Sequence, residues 1–291
     1  MKIRFSKMHG IGNDYVYVDC TKTALPDPAR LSRFVSDRHF GVGSDGLILI
    51  LPSEKADFMM RIFNADGSEG TMCGNGIRCV GKYVYDRGMT DKTSLAVETL
   101  SGVKYLTLFP EGGKVARVSV DMGRAALRPE EIPVLAGGDD FVARPVEVGG
   151  KTCAVTCVNV GNPHAVIFCG DVKKLDLARL GPQFERHPLF PKRVNTEFVR
   201  VLGPTELEMR VWERGSGETF ACGTGSCASV VAAVLNGFCR RGEDVTVHLL
   251  GGDLTDRWEA DGTVRMTGPA AHVFDGELDF DFEEDRHGEA Q

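Results

Sequence analysis

One numerical offset constrains this chain more than its composition does. Adding 149 to a residue number in the first half lands on its counterpart in the second. Cys73, Gly74 and Gly76 fall on Cys222, Gly223 and Gly225; Gly12-Asn13 falls on Gly161-Asn162, Met60-Arg61 on Met209-Arg210, and Glu69 on Glu218. Asp27 and Ala29-Arg30-Leu31 fall on Asp176 and Ala178-Arg179-Leu180, and Gly88, Gly102, Gly113 and Val115 fall on Gly237, Gly251, Gly262 and Val264. Over residues 57–76 six of twenty positions are identical, where composition alone gives roughly one or two. A single gapless offset from Gly12 to Val115 marks an internal duplication, and its period is far too long for a solenoid. The chain therefore reads as two homologous domains. The first spans 1–120 and carries Cys73, with a C-terminal strand near 270–282 as a candidate to return to it. The second spans 121–269 and carries Cys222.

Within each repeat the local signals alternate between short strands and helices. Ile3–Phe5 and Tyr15–Val18 read as strands around the glycine-rich turn His9–Asp14. Asp27–Arg38 reads as a helix from the spacing of Leu31, Phe34, Val35 and Arg38. Strands are expected at Leu47–Leu51, Phe58–Phe63, 95–109 and 114–121. A helix is expected from Cys73-Gly74-Asn75-Gly76 to about Arg87, closed by Gly88. Its counterpart, Ser226–Asn236, is apolar nearly all round, so it must be surrounded by protein. The fold class that follows is α+β: two pseudo-symmetric domains, each a mainly antiparallel sheet wrapped around a central helix. The charged tail from Glu283 to Gln291 reads as disordered.

Composition excludes several function classes. The net charge of −7 argues against a nucleic-acid scaffold. The longest apolar runs, Leu47–Pro52 and Ala228–Leu235, are too short to span a bilayer, and Met1–Gly10 lacks the apolar core of a secretory signal. Nine cysteines, an odd count, point to reduced thiols and a cytoplasmic protein. Cys153-x3-Cys157 is the nearest approach to a metal spacing and has no partner pair, so no metal is expected. The expected partner is a small molecule, with neither nucleic acid nor membrane, and a homodimer is the one protein assembly considered.

The stretch Trp212–Val231 combines the charges Glu213 and Arg214, a Gly/Ser-rich turn, and Cys222 at the start of the apolar helix. A thiol there is expected to have its pKa lowered by the helix dipole, beside free backbone N–H groups that can hold an anion. A lone CGxG is as readily a buried structural cysteine. Duplication changes that balance, because Cys73 and Cys222 become equivalent thiols at equivalent helix starts. Two such thiols facing one cleft suit removal of a proton from one face of a carbon and delivery to the other, one as base and one as acid. The amides of Gly74, Asn75, Gly76, Gly223, Thr224 and Gly225 could stabilise the charge that develops on an adjacent carboxylate.

Seven stretches then match one family in order: FSKMHGIGNDYV at Phe5–Val16, RHFGVGSDG at Arg38–Gly46, RIFNADGSE at Arg61–Glu69, MCGNGIRC at Met72–Cys79, GNPHAV at Gly161–Val166, RVNTEF at Arg193–Phe198 and ERGSGETFACGTGSCA at Glu213–Ala228. Over essentially its whole length the chain resembles the diaminopimelate epimerases. The resemblance implies a cofactor-independent enzyme that interconverts LL- and meso-2,6-diaminopimelate, a step toward lysine and cell-wall precursors. It implies that Cys73 and Cys222 are the acid/base pair, with Cys73 as base toward the LL form. It further implies that Asn13, Asn64, Asn162, Asn195, Glu213 and Arg214 bind substrate, that Gly74-Asn75 and Gly223-Thr224 supply backbone donors, and that His164 lines the site near the thiols. Gly46 stands where some members carry a substrate-contacting Gln.

Taken singly, several of these residues have plainer readings. Asn13 and Asn64 sit in glycine-rich turns, where Asn is common for local reasons. His164 could cap a strand, and Glu213-Arg214 could be a surface pair. The nearest alternative function is another two-cysteine racemase or epimerase of the proline racemase-like group. A rival of another class is a redox protein in which Cys73 and Cys222 form a regulatory disulfide. Pyridoxal phosphate is disfavoured, since no Schiff-base lysine context is recognisable.

Overall fold

The computed structural model describes residues 1–283, so the tail read as disordered lies, apart from its first residue, outside the described residues. The chain forms two compact units, Met1–Val118 together with the segment from Pro269 onward, and Ser119–Gly268.

The first unit opens with β1 (Lys2–Gly10) and β2 (Asn13–Asp19), an antiparallel hairpin. Its two-residue turn places Ile11 at φ 47° and Gly12 at φ 88°. Positive φ at both positions is the hairpin turn whose twist matches the flanking strands, and it sets Asn13 at the head of β2. Helix α1 (Pro28–Ser36) follows, capped by Asp27 through the Arg30 amide at 3.0 Å. Then come β3 (Gly46–Leu51), parallel to β2, β4 (Phe58–Asn64), antiparallel to β3, and the short β5 (Glu69–Gly70). Helix α2 (Gly74–Asp86) has Cys73 as its N-cap. The expected strand over 95–109 is two strands, β6 (Ser94–Thr99) and β7 (Gly102–Glu111), joined by a turn at Leu100-Ser101. Strand β8 (Lys114–Arg124) completes the repeat.

The second unit repeats this plan. It contains β9 (Arg144–Val148), β10 (Lys151–Asn159), β11 (Pro163–Phe168), α3 (Leu177–Glu185), β12 (Asn195–Gly203), β13 (Glu206–Glu213), β14 (Gly217–Glu218), α4 (Gly223–Leu235), β15 (Val245–Leu249), β16 (Gly252–Trp258) and β17 (Thr263–Pro269). A final strand, β18 (Ala271–Asp279), pairs antiparallel with β1, as β9 does with β10. Both helix pairs keep the 149-residue offset at each end. The parallel pairs β2–β3 and β4–β6 recur as β11–β12 and β13–β15. The side chains repeat too: Arg61 grips Glu69 at 2.6 and 3.0 Å, and Arg210 grips Glu218 at 2.7 and 2.9 Å. Bidentate Arg–carboxylate pairs of this kind tie each short strand to its neighbour with fixed geometry.

Each sheet buries one helix on either side. In the first unit Leu31 and Val35 of α1 pack with Ile3, Val16, Leu47 and Phe63. In the second, Leu177 and Phe184 of α3 pack with Val155, Val194 and Phe198. The central helices occupy the opposite faces. Helix α2 lies against β1, β2 and β7, and α4 against β10, β11, β12, β13, β15 and β16. Ala228, Val230, Val231, Ala232 and Ala233 of α4 are fully buried, as an all-round apolar helix requires. This helix starts at Gly223, earlier than the expected Ser226, because the glycines of the CGTG stretch form its first turn.

Candidate active site

Each central helix carries its cysteine at the N-cap. The Cys73 sulfur accepts the Gly76 amide at 3.4 Å, and its thiol lies 3.3 Å from Asn13 Oδ1. Asn75 Nδ2 approaches the same oxygen at 3.4 Å. Asn13 is held from behind, since its Nδ2 donates to Asp45 Oδ2 at 2.8 Å. Asp45 and Asp14 share Arg38 at 2.9 and 3.0 Å, and Lys7 meets Asp14 at 2.5 Å. Burial raises the Asp45 carboxyl. Burial also opposes ionisation of Asp14, but Arg38 and Lys7 outweigh it and hold that carboxyl below its usual range. The buried Tyr15 hydroxyl reaches the Cys73 thiol.

In the second unit Cys222 is buried, with its sulfur 3.6 Å from Thr224 Oγ1. Glu213, at the end of β13, is within hydrogen-bonding reach of that thiol and accepts Thr219 Oγ1 at 2.5 Å. His164, on β11, sits between Asn162 Oδ1 at 2.8 Å and Glu197 Oε1 at 2.7 Å. Asn195 heads β12, donates to the Pro163 carbonyl at 3.1 Å and accepts the Arg214 amide at 3.0 Å.

The pKa expectation from the helix dipole is overturned at both thiols. Burial raises Cys73 above the ordinary cysteine value, and the Gly76 amide and Tyr15 hydroxyl do not offset it. Burial raises Cys222 well above that value, and the Glu213 and Glu197 carboxylates add to the effect. Dipole stabilisation of a thiolate is worth about 1 kcal/mol, while desolvation of a buried ionisable group can reach several times that. Burial therefore wins, and the free protein holds both cysteines as thiols at neutral pH. Burial likewise raises Glu213, against the Thr219 hydroxyl.

The residues expected at the site fall into two constellations, one per unit. Cys73, Gly74, Asn75 and Asn13 come together in the first, and Cys222, Gly223, Thr224, Glu213, His164 and Asn162 in the second. Asn64 is exposed at the end of β4, where its Nδ2 donates to Ser68 Oγ at 3.0 Å. Glu213 and Arg214 do not pair with each other: Glu213 turns to Thr219, while the exposed Arg214 guanidinium donates to the Lys192 carbonyl at 3.0 Å. Sequence reasoning missed Tyr15, Asp45, Glu197 and Thr219. Tyr15 was within reach, because it is the repeat counterpart of His164. Glu197 left a fainter signal, an acid just ahead of the apolar Phe198-Val199 of β12.

A duplicated fold with one cysteine capping each of two equivalent helices defines the class of two-thiol racemases and epimerases. A sequence profile of the diaminopimelate epimerases matches residues 5–128 and 156–273. The diaminopimelate epimerase of Acetivibrio thermocellus is 58% identical over 278 residues, covering 95% of this chain and 99% of that one. The diaminopimelate epimerase of Methanococcus maripaludis is 53% identical over 278 residues, covering 95% and 100%. Among solved structures, a probable proline racemase from Agrobacterium radiobacter superposes with a TM-score of 0.72 at 15% identity, covering 97% of this chain and 94% of that one. A PhzF-family phenazine biosynthesis protein from Bacillus anthracis gives 0.68 at 15% identity, covering 96% and 100%. At that identity the two structures speak to the fold alone. The chain belongs to the diaminopimelate epimerase family.

Proposed function

We infer that the chain is an amino-acid epimerase that interconverts LL- and meso-2,6-diaminopimelate without a cofactor, in the synthesis of lysine and peptidoglycan precursors. The observation that carries the reading is the pair of repeat-related cysteines, Cys73 and Cys222, each capping the helix at the centre of its unit. On this reading both thiols act on one substrate carbon from opposite faces. In the LL direction the Cys73 thiolate removes the α-proton, and the Cys222 thiol delivers a proton to the other face. The electron pair moves into the adjacent carboxylate. The amides of Gly74, Asn75, Gly223 and Thr224, at the two helix starts, stabilise the charge there. Asn13, Asn64, Asn162, Asn195, Glu213 and Arg214 bind the two ammonium and two carboxylate groups. Both thiols must stay free to carry protons, which suits a reducing cytoplasm. The test is turnover of LL-diaminopimelate in D2O with no cofactor added. Meso product should form and carry deuterium at the inverted carbon; no turnover, or turnover only after a cofactor is added, overturns the reading.

The pKa directions give a second expectation. The Gly76 amide and Tyr15 hydroxyl favour the Cys73 thiolate, whereas the Glu213 and Glu197 carboxylates oppose ionisation of Cys222, so Cys73 is the thiol that ionises first in the free enzyme. The ascending limb of kcat/KM then follows Cys73 and lies above the ordinary cysteine value of about 8.5. The descending limb follows loss of the Cys222 proton at higher pH. Glu213→Gln removes a negative charge beside Cys222, so the descending limb should move to lower pH while the ascending limb stays in place. A pH–rate profile in which the variant leaves the descending limb unmoved refutes the assignment.

A further inference from the structure

Asn13 and Asn162 are repeat counterparts, but their amides are held by opposite kinds of partner. Asn13 gives its Nδ2 to the Asp45 carboxylate and turns Oδ1 to the Cys73 thiol. Asn162 instead meets the imidazole Nε2 of His164 with its Oδ1, and His164 Nδ1 faces Glu197 Oε1 at 2.7 Å. An amide oxygen only accepts, so the Nε2 facing it carries a proton. The Nδ1–Oε1 contact needs a second proton between its atoms. With both protons in place the His164–Glu197 pair has no net charge, whether as imidazolium and carboxylate or as imidazole and carboxylic acid.

Burial favours that arrangement. His164 and Glu197 are both fully buried, and among the described residues Glu197 Oε2 has no hydrogen-bond partner. A pair with one proton fewer would leave a net negative charge there with one oxygen unsatisfied, a costly state. Glu197 is also locked in place. A methyl group at Gly225, in the first turn of α4, would lie 2.7 Å from Glu197 Oε1 and 3.2 Å from the Cys222 sulfur. The carboxyl thus fills the space that only a glycine leaves beneath the thiol.

We propose that Glu197 is a positioning residue that acts through His164: it keeps Nε2 protonated, so that Asn162 is held by its oxygen and presents its NH2 as a donor to an anionic group of the substrate. Asn13 has the opposite polarity, with its NH2 held by Asp45 and its oxygen turned to the Cys73 thiol. Two repeat-related amides therefore offer an acceptor in one unit and a donor in the other. This inference rests on the epimerase reading for its substrate, but not for the proton on His164.

The test combines ¹⁵N NMR of histidine-labelled protein with kinetics. Comparison with His164→Gln assigns the His164 resonances. In the wild type Nε2 should be protonated and coupled to its hydrogen, and Nδ1 should show a strongly hydrogen-bonded proton. Glu197→Leu should remove the Nδ1 signature and raise KM for diaminopimelate at least about tenfold, with a smaller change in kcat, as expected when a held donor is freed to rotate. Glu197→Gln, whose NH2 can replace the acid proton facing Nδ1, should restore most of the lost affinity. An unprotonated Nε2 in the wild type overturns the proposal even if the leucine variant fails to fold. So does a folded leucine variant with wild-type KM. A wild type that shows the proton on Nε2 but turns over no diaminopimelate overturns the substrate reading and leaves the hydrogen-bond assignment standing.

Discussion

Replacing Cys73 or Cys222 with alanine should lower kcat/KM for epimerisation by at least about a thousandfold, within the range for loss of a positioned acid or base. The two residues are not redundant, because inversion needs a proton taken from one face and returned to the other. Asn13, Tyr15 and Asn75 stand around Cys73, and Glu213, Thr224 and Glu197 around Cys222. The double variant should be little worse than either single one, since groups that act as a unit are not additive. The fold should survive. Cys73→Ala loses one weak cap on the Gly76 amide, a loss of about 1 kcal/mol, and Cys222→Ala leaves a space about the size of one sulfur. Thermal unfolding and deuterium incorporation measured on the same samples separate chemistry from stability. Epimerisation retained at a tenth of the wild-type rate in either variant would exclude the two-base assignment.

Gly181→Ala should cost about 3 kcal/mol, the upper end for overpacking. An added methyl group would lie 2.2 Å from Cγ and Cδ2 of Trp212. The ring is held against the helix, because its Nε1 is tied to Glu185 Oε2 at 2.8 Å. Helix α3 and strand β13 must therefore move apart. Glu185 also accepts the Gly215 amide at 3.2 Å, so the strain passes into the turn that follows Glu213 and Arg214. The expected result is a fall in Tm of about 6–12 °C, from roughly 2–4 °C per kcal/mol in a chain of this size, together with a raised KM. A Tm within about 2 °C of wild type, the least that 1 kcal/mol would produce, would show that the second unit repacks freely at this point. The repeat explains why the strain is specific to this unit. Gly181 is the counterpart of Ser32, and Trp212 of Phe63. In the first unit the smaller ring leaves room for the serine, whose hydroxyl donates to the Phe63 and Asn64 carbonyls.

Much of this is legible along the chain. The offset alone locates both helix pairs, since glycine, cysteine and capping aspartate each answer to local backbone needs that survive duplication. Asp27 and Asp176 cap their helices at equivalent amides for that reason. The segment 95–109 reads as one stretch because apolar residues recur on both sides of Leu100-Ser101, where the breaker signal is weak; the change of parity from Leu95 and Val97 to Leu106 and Leu108 marks the turn between the two strands. Local propensity places the start of α4 too late because glycine is a poor helix former. Close packing fixes glycine in that first turn, with Gly225 under both Cys222 and Glu197.

The sequence by itself determined the duplication, the α+β class and the family, and it singled out the two repeat-related cysteines. These follow from periodicity and motif order, which are properties of the chain read along its length. Only the tertiary structure decided the electrostatics. Desolvation, not the helix dipole, sets the direction of both thiol pKa values. Asp45 holds Asn13 directly and Glu197 reaches Asn162 through His164, and Thr219 rather than Arg214 partners Glu213. The physical reason is that desolvation and hydrogen-bond polarity depend on which atoms close around a group in space. Glu197 lies 33 residues from His164 and 25 from Cys222 in the chain, and no local pattern records that β12 brings it to both.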